Sequence, residues 1–299
     1  ALLAGFGLIF PPFIMILLIG MFYQSFEGAQ SFQFVLKGFL YSVSAIILLS
    51  LRSMVVSAYK SLIFWFVIGI SFYISHKALM PEPFVIIGFG ALVAIWQSSW
   101  MWKRYTFFSA TFFVVDWEKL YPLFKISLYA GTFVFGTGLA ILPVLRTQFG
   151  DTYHWIPLEV FNDGVIFGQM TPGPVTITAS FLGYSISGFV GALVATIGIF
   201  LMPFIHMVSW FPYAVKWLAK QKWIKPFLLG ATGAVIGTIL DTIVKMNEQS
   251  YLVPMFWVIA VGTFALLLWK PKFPLLAIIF GSGLLNLAVN LVLMTMHSV

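Results

Sequence analysis

Thr171-Pro172-Gly173-Pro174-Val175-Thr176-Ile177-Thr178 gathers the residues of this sequence best suited to hold a ligand. The spacing predicts a helix that opens here, since Thr171 has an N-cap side chain and Pro172 suits the first helical position. Two prolines remove two donors, which leaves the N–H groups of Gly173, Val175 and Thr176 unpaired at the positive end of the helix dipole. Gly173 lets a backbone or ligand come close. Thr176 and Thr178 add hydroxyls. Such an end, set in an apolar segment, suits a small anion. The plainer use of the same residues is a proline kink whose freed groups neighbouring helices satisfy.

Phe135-Gly136-Thr137-Gly138 interrupts an earlier apolar run in a similar way. It is either a second break that faces the first, presenting Thr137 and nearby amides, or a small-residue surface for close helix packing. Asp163 and Glu159 lie four residues apart on one face of the segment ahead of TPGP, and Gln169 follows Asp163 by six. A carboxylate beside an anion site makes sense if it takes up a proton, or if it pairs with Arg146 or a lysine. Glu159 reads as solvated, whereas Asp163 has a functional or network role. Arg146 is either an anion partner or a snorkelling interfacial arginine. His206 reads as a hydrogen-bonded core residue, Asp241 and Lys245 as an i,i+4 pair, and Asn286 and Asn290 as bonds between helices.

The elements that must position these residues follow from composition. Of 299 residues 61% are hydrophobic and 8% charged, against roughly 25% charged in a soluble domain. A chain this apolar lacks the charge to cover a water-facing surface, which excludes a soluble enzyme, a disordered chain and a fibrous protein. There is no cysteine, hence no disulfide and no thiolate chemistry. The net charge of +7 is spread in ones and twos between apolar runs, as in membrane loops, and does not suggest a nucleic-acid partner. Spans are expected at Ala1–Phe22, Phe34–Leu51, Ser61–Ser75, Phe84–Trp102, Leu120–Leu145, Phe189–Val215, Pro226–Ile243, Val253–Trp269 and Pro274–Met296. Between them, Pro157–Met170 and Pro174–Ser187 hold 14 residues each. At roughly 21 Å apiece, these two pieces are too short to cross a bilayer core of about 30 Å, the pattern of a re-entrant or broken pair.

The sequence also repeats. Gly7 and Pro12 match Gly198 and Pro203 at an offset of 191, Gly38 matches Gly230 and Phe64-Trp65 matches Phe256-Trp257 at 192, and Gly88 and Gly90 match Gly281 and Gly283 at 193. Residues 1–118 therefore read as the C-terminal part of a first transporter repeat, and 119–299 as a complete second repeat that contains the TPGP break. A complete two-repeat carrier would have about 70 further residues ahead of Ala1. The chain starts inside an apolar run with no basic n-region, so no signal peptide is read. Basic loops fall second (Arg52, Lys60) and fourth (Lys103, Arg104) in the first copy. In the second copy they fall first (Lys216, Lys220, Lys222, Lys225) and third (Lys270, Lys272). Positive-inside then predicts inverted topology, a recurring plan of secondary transporters.

No P-loop supports nucleotide-driven pumping and no ligand cluster supports a metal enzyme; no cofactor is expected. The stretch from Leu123 to Pro203 resembles the chromate ion transporter family. The resemblance rests on Phe135–Gly138, Leu142-Pro143 and the charged turn around Arg146. It continues through Glu159-Val-Phe-Asn-Asp163 to Gln169-Met-Thr-Pro-Gly-Pro174, Gly183-Tyr184 and Gly191–Gly198. The family's acidic residue, five residues, Gln, two residues and PGP is met by Asp163, Gln169 and Pro172–Pro174; its glycine triplet stands here as Gly136-Thr137-Gly138. The resemblance implies a secondary carrier of chromate, a tetrahedral dianion shaped like sulfate, working in efflux from a microbial plasma (inner) membrane and conferring chromate resistance.

The expected protein is therefore an all-α polytopic membrane bundle with two inverted repeats and re-entrant helix ends meeting near mid-membrane. Its substrate sits on Gly136, Thr137, Gly138, Thr171, Gly173, Val175, Thr176 and Thr178, with Asp163, Gln169 and Arg146 in coupling or supporting positions. The lipid bilayer and a small oxyanion are its partners, with a homodimer as a possible assembly. A sulfate or other small-anion carrier, a membrane-embedded enzyme using Asp163 and His206, and a purely structural subunit are the alternatives.

Overall fold

The computed structural model describes residues 2–26, 28–56, 61–97, 119–133 and 138–297. Glu27, Lys60, residues 98–118 (with Lys103 and Arg104) and Phe135–Thr137 (with Gly136) lie outside the described residues. The fold is all helix: α1 (Leu2–Phe26), α2 (Gln30–Val56), α3 (Leu62–His76), α4 (Glu82–Gln97), α5 (Leu120–Thr132), α6 (Ile141–Leu145), a π-helical turn (Arg146–Thr152), α7 (Leu158–Met170), a 3₁₀ turn (Val175–Ile177), α8 (Thr178–Val208), α9 (Phe211–Leu218), α10 (Ile224–Met246), α11 (Pro254–Trp269) and α12 (Leu275–His297). Among the described residues, five stretches are long and apolar enough to cross a membrane: Gly5–Tyr23, Gln30–Val56, Val175–Val208, Ile224–Met246 and Leu275–Met296. Their outer faces carry exposed Phe, Leu, Ile, Val and Met, the surface that lipid wets.

α8 is not one straight rod. Ser187 and Gly188 leave helical geometry, Gly188 at φ 59 where only glycine sits comfortably. In a straight helix Ser180 and Thr196 would stand roughly 24 Å apart. Their hydroxyls share a hydrogen bond of 2.6 Å, so the chain doubles back and arm 178–186 lies along arm 189–208. Gly183 and Gly191 make the close approach possible, each placed where a Cβ would strike the other's carbonyl oxygen. The break expected after Ser187 is thus a reversal, and the first arm is a short half-helix. The expected run to Val215 ends instead at Val208, because Pro212 opens the separate α9.

The broken segments sit at the centre. Leu139–Leu145, Phe161, Val165, Ile166, Ile177, Phe181 and Leu182 are buried, as lipid requires of backbone that leaves helical pairing. α5 lies on arm 189–208, with Gly131 against the backbone of Ile199 and Gly198 against Ser127. Around this centre, α2 packs on α11 and α12, while α10 packs on α3 and α4. At the offsets of 192 and 193 these are corresponding contacts. A Cβ on Gly38 would strike Ser282 O and approach the Asn286 Cβ, and a Cβ on Gly230 would strike Phe89 O and approach Val93. Asn286 adds an N–H bond to Phe34 O at 2.7 Å across α12 and α2, whereas Asn290 bonds back to Asn286 within its own helix.

Candidate functional site

α7 stops at Thr171, which is extended, because Pro172 disfavours helical geometry in the residue before it. The Thr171 hydroxyl donates back to Phe167 O at 3.0 Å and to Gly168 O at 3.3 Å. Thr171 thus closes the helix it ends, and the expectation that it caps the next one is corrected. Pro174 takes the capping position instead, and Ile177 N–H is the first to close a turn, on Pro174 O at 3.0 Å. The amides of Val175 and Thr176 precede that bond, with no earlier carbonyl of the turn to reach.

Both threonines of this turn are deeply buried, Thr176 at 4% and Thr178 at 0% exposure, and among the described residues neither Oγ1 has a hydrogen-bond partner. A buried hydroxyl left unpaired costs about 1–3 kcal/mol, and two fall together at this helix start. Room for Thr178 comes from Gly168, where any Cβ would collide with its Oγ1. The second break meets the first here. Gly138, at φ +77, has its Cβ position 3.3 Å from Thr176 Cγ2 and 4.0 Å from Thr176 N. Gly173 stands against the ring of Pro12 from α1, 2.9 Å from a built Cβ. Pro172 and Gly173 are exposed while Thr176 and Thr178 are buried.

The remaining expected residues are placed elsewhere. Gln169 is half-buried in the last turn of α7, beside the break. Asp163 lies two turns earlier at 6% exposure and accepts a 2.7 Å bond from the Tyr23 hydroxyl of α1. Arg146 opens the π-helical turn, 3.6 Å from Asp151, with its Nε shielded and unpartnered. With His154 and the first turn of α7 it lines an open pocket of about 430 Å³. Glu159 is exposed. His206 packs its ring on Trp210. Among the described residues no group of three or more His, Asp or Glu gathers that could hold a metal ion.

Two polar clusters were not foreseen as clusters. Asp241, 2% exposed, receives Lys245 Nζ at 2.7 Å as expected, and also Ser75 Oγ and His76 Nδ1 at 2.9 Å each from the end of α3. Glu82, buried at the start of α4, accepts a bond from the Thr147 hydroxyl of the π-helical turn. Histidine and serine at the end of an apolar run were the only available hints.

Residues 121–287 match the family described as chromate transporter. The chromate transport protein of Cupriavidus metallidurans is 31% identical over 299 residues, covering 96% of this chain and 74% of its own length. A probable chromate transport protein of Synechococcus elongatus is 30% identical over 268 residues, covering 83% of this chain and 66% of its own. A chromate transport protein of Pseudomonas aeruginosa is 28% identical over 167 residues, 54% of this chain and 40% of its own. No solved structure matches the chain.

Proposed function

The chain belongs to the chromate transporter family, and on that premise we propose that it moves chromate across the membrane by holding the dianion where its two breaks meet. It is a multi-pass plasma-membrane transporter and not an enzyme. The anion rests on the amides of Val175 and Thr176, the hydroxyls of Thr176 and Thr178, and the left-handed backbone at Gly138. The positive end of the following helix, worth roughly half an elementary charge, faces it. Gly173 keeps the exposed approach beside Pro12 clear of side chain. Thr171 and Gln169 hold the end of α7 in place. Arg146, facing Asp151, lines the open vestibule beside the first turn of α7, and transport runs as efflux.

The observation that carries this reading is the pair of buried, unpartnered hydroxyls of Thr176 and Thr178 at a helix start. The reading includes two inverted repeats, 1–118 and 119–299. Their support is the exchange of contacts in which Gly38 meets Ser282 as Gly230 meets Phe89.

Thr176→Ala and Gly173→Leu variants, shown to be folded and inserted, test the site in proteoliposomes. The expected result is a loss of chromate transport of about tenfold or more for Thr176→Ala, the worth of one hydrogen bond to a charged group. Normal rates in both variants overturn the assignment. Competition between labelled sulfate and chromate in the same vesicles separates a chromate carrier from a general carrier of tetrahedral dianions.

A further inference from the structure

Four of the 16 basic residues fall within ten positions: Lys216, Lys220, Lys222 and Lys225. No Asp or Glu stands between Asp163 and Asp241, so this run carries positive charge that the neighbouring sequence does not offset. All four lysines are exposed, and among the described residues no carboxylate forms an ion pair with any of them. None of them belongs to the site where the two breaks meet. Their placement follows from length. α9 joins α8 to α10, and both neighbours are long enough to cross a membrane. The eight residues of α9 rise roughly 12 Å, too little for a bilayer core of about 30 Å. This segment therefore stays at the surface where α8 and α10 emerge.

The residue pattern of α9 suits that surface. Phe211, Ala214, Val215 and Leu218 follow i, i+3, i+4, i+7 and share one face, while Lys216 lies on the other side. Among the described residues no side chain of α9 is buried, which leaves the apolar face to lipid. Trp210, Tyr213 and Trp217 are exposed beside it, as aromatic side chains at head-group level are. A short helix with an apolar face, flanking aromatics and clustered lysines lies in the membrane interface. From this arrangement we infer that the α9 connection binds the phosphates of anionic phospholipids, with Lys216, Lys220, Lys222 and Lys225 as the head-group ligands. The positive-inside bias sets these lysines in the cytoplasm, against the leaflet with the negative surface potential. A dissolved anion would meet the same lysines but brings no acyl chain to the Phe211 face. Head group and chain together favour the lipid. The inference holds whatever anion the carrier moves.

The test uses the purified full chain in phosphatidylcholine vesicles. The chain has no cysteine, so Ala219→Cys accepts a single fluorophore beside the lysines. Spin-labelled phosphatidylglycerol is expected to associate with that site about fivefold or more in preference to spin-labelled phosphatidylcholine, read as quenching at equal mole fraction. Fivefold is the worth of one lysine near an anionic surface. The preference should shrink near 1 M salt, where screening acts within about 3 Å. Replacing all four lysines by glutamine should erase it, whereas Lys270→Gln with Lys272→Gln, in another loop, should leave it intact. Lys216→Gln with Lys220→Gln should weaken it, and provides the readout should the fourfold variant fold poorly. Equal quenching by the two lipids overturns the inference, as does a preference that survives the loss of these lysines. Full displacement of the lipid by inorganic phosphate at low ionic strength identifies a site for dissolved anions and overturns it too. None of these readings uses chromate transport, so failure here leaves the carrier reading standing.

Discussion

Gly138 stands against Thr176, its missing Cβ 3.3 Å from the threonine methyl and 4.0 Å from the threonine amide. Two interruptions that lie 38 residues apart in the chain thus present backbone to the same point. Gly138 holds φ +77, a region that costs an L-residue about 1–2 kcal/mol. Gly138→Ala is expected to lower the thermal midpoint modestly and to impair chromate transport more than that loss of stability accounts for. Transport rates measured against differential scanning fluorimetry on the same preparation check this.

The reversal at Ser187–Gly188 is latched by Ser180 and Thr196. Ser180→Ala and Thr196→Val should each cost about 1 kcal/mol, and the double variant should cost less than the sum, since one hydrogen bond is lost in both. A double-mutant cycle of thermal unfolding reads the coupling; full additivity would mean that the arms are held by packing alone.

Asp241 is a buried carboxylate with cationic, hydroxyl and imidazole partners from two helices. Lys245→Met leaves that charge without its ammonium partner and is expected to destabilise by about 3–5 kcal/mol. Asp241→Leu combined with Lys245→Met should recover most of that loss. Denaturation of the three variants in one detergent provides the comparison.

In the proposed reading Arg146 acts on the anion from the open pocket it lines with Asp151, through a charge that salt screens. Arg146→Gln should weaken apparent chromate affinity several-fold at low ionic strength and much less near 1 M salt. Thr176→Ala should be insensitive to salt, because it removes a short-range bond. Concentration dependence of uptake at the two ionic strengths distinguishes the roles.

Glycines at the helix crossings set the last expectation. Gly38→Ala and Gly230→Ala each push a methyl into a facing backbone carbonyl that cannot move aside cheaply, at about 1–3 kcal/mol apiece. Similar losses in both, read as lowered thermal midpoints, are what equivalent positions predict.

Much of this architecture was legible beforehand because lipid simplifies the code. Apolar run length located α2, α3, α10, α11 and α12, and the cut at Pro172–Pro174 with the division after Ser187 located the short arm. The role of Thr171 was misjudged for a local reason. A hydroxyl beside proline can serve the helix behind it as readily as the one ahead, and here it bonds back to Phe167 O and Gly168 O. The pairing of Tyr23 with Asp163, 140 residues apart, and of His76 with Asp241, 165 apart, leaves no trace in spacing. The π-helical turn at Arg146–Thr152 follows no periodic signal either.

The crossed packing of α2 with α11 and α12, and of α10 with α3 and α4, ties the fates of the two halves together. Each offers a glycine-floored groove that its own helices do not fill. Expressed apart, either half would enter the bilayer with that groove vacant, and only the other could close it. A side chain that fills the groove at Gly38 or Gly230 is therefore expected to need an answering change in the helix that crosses it.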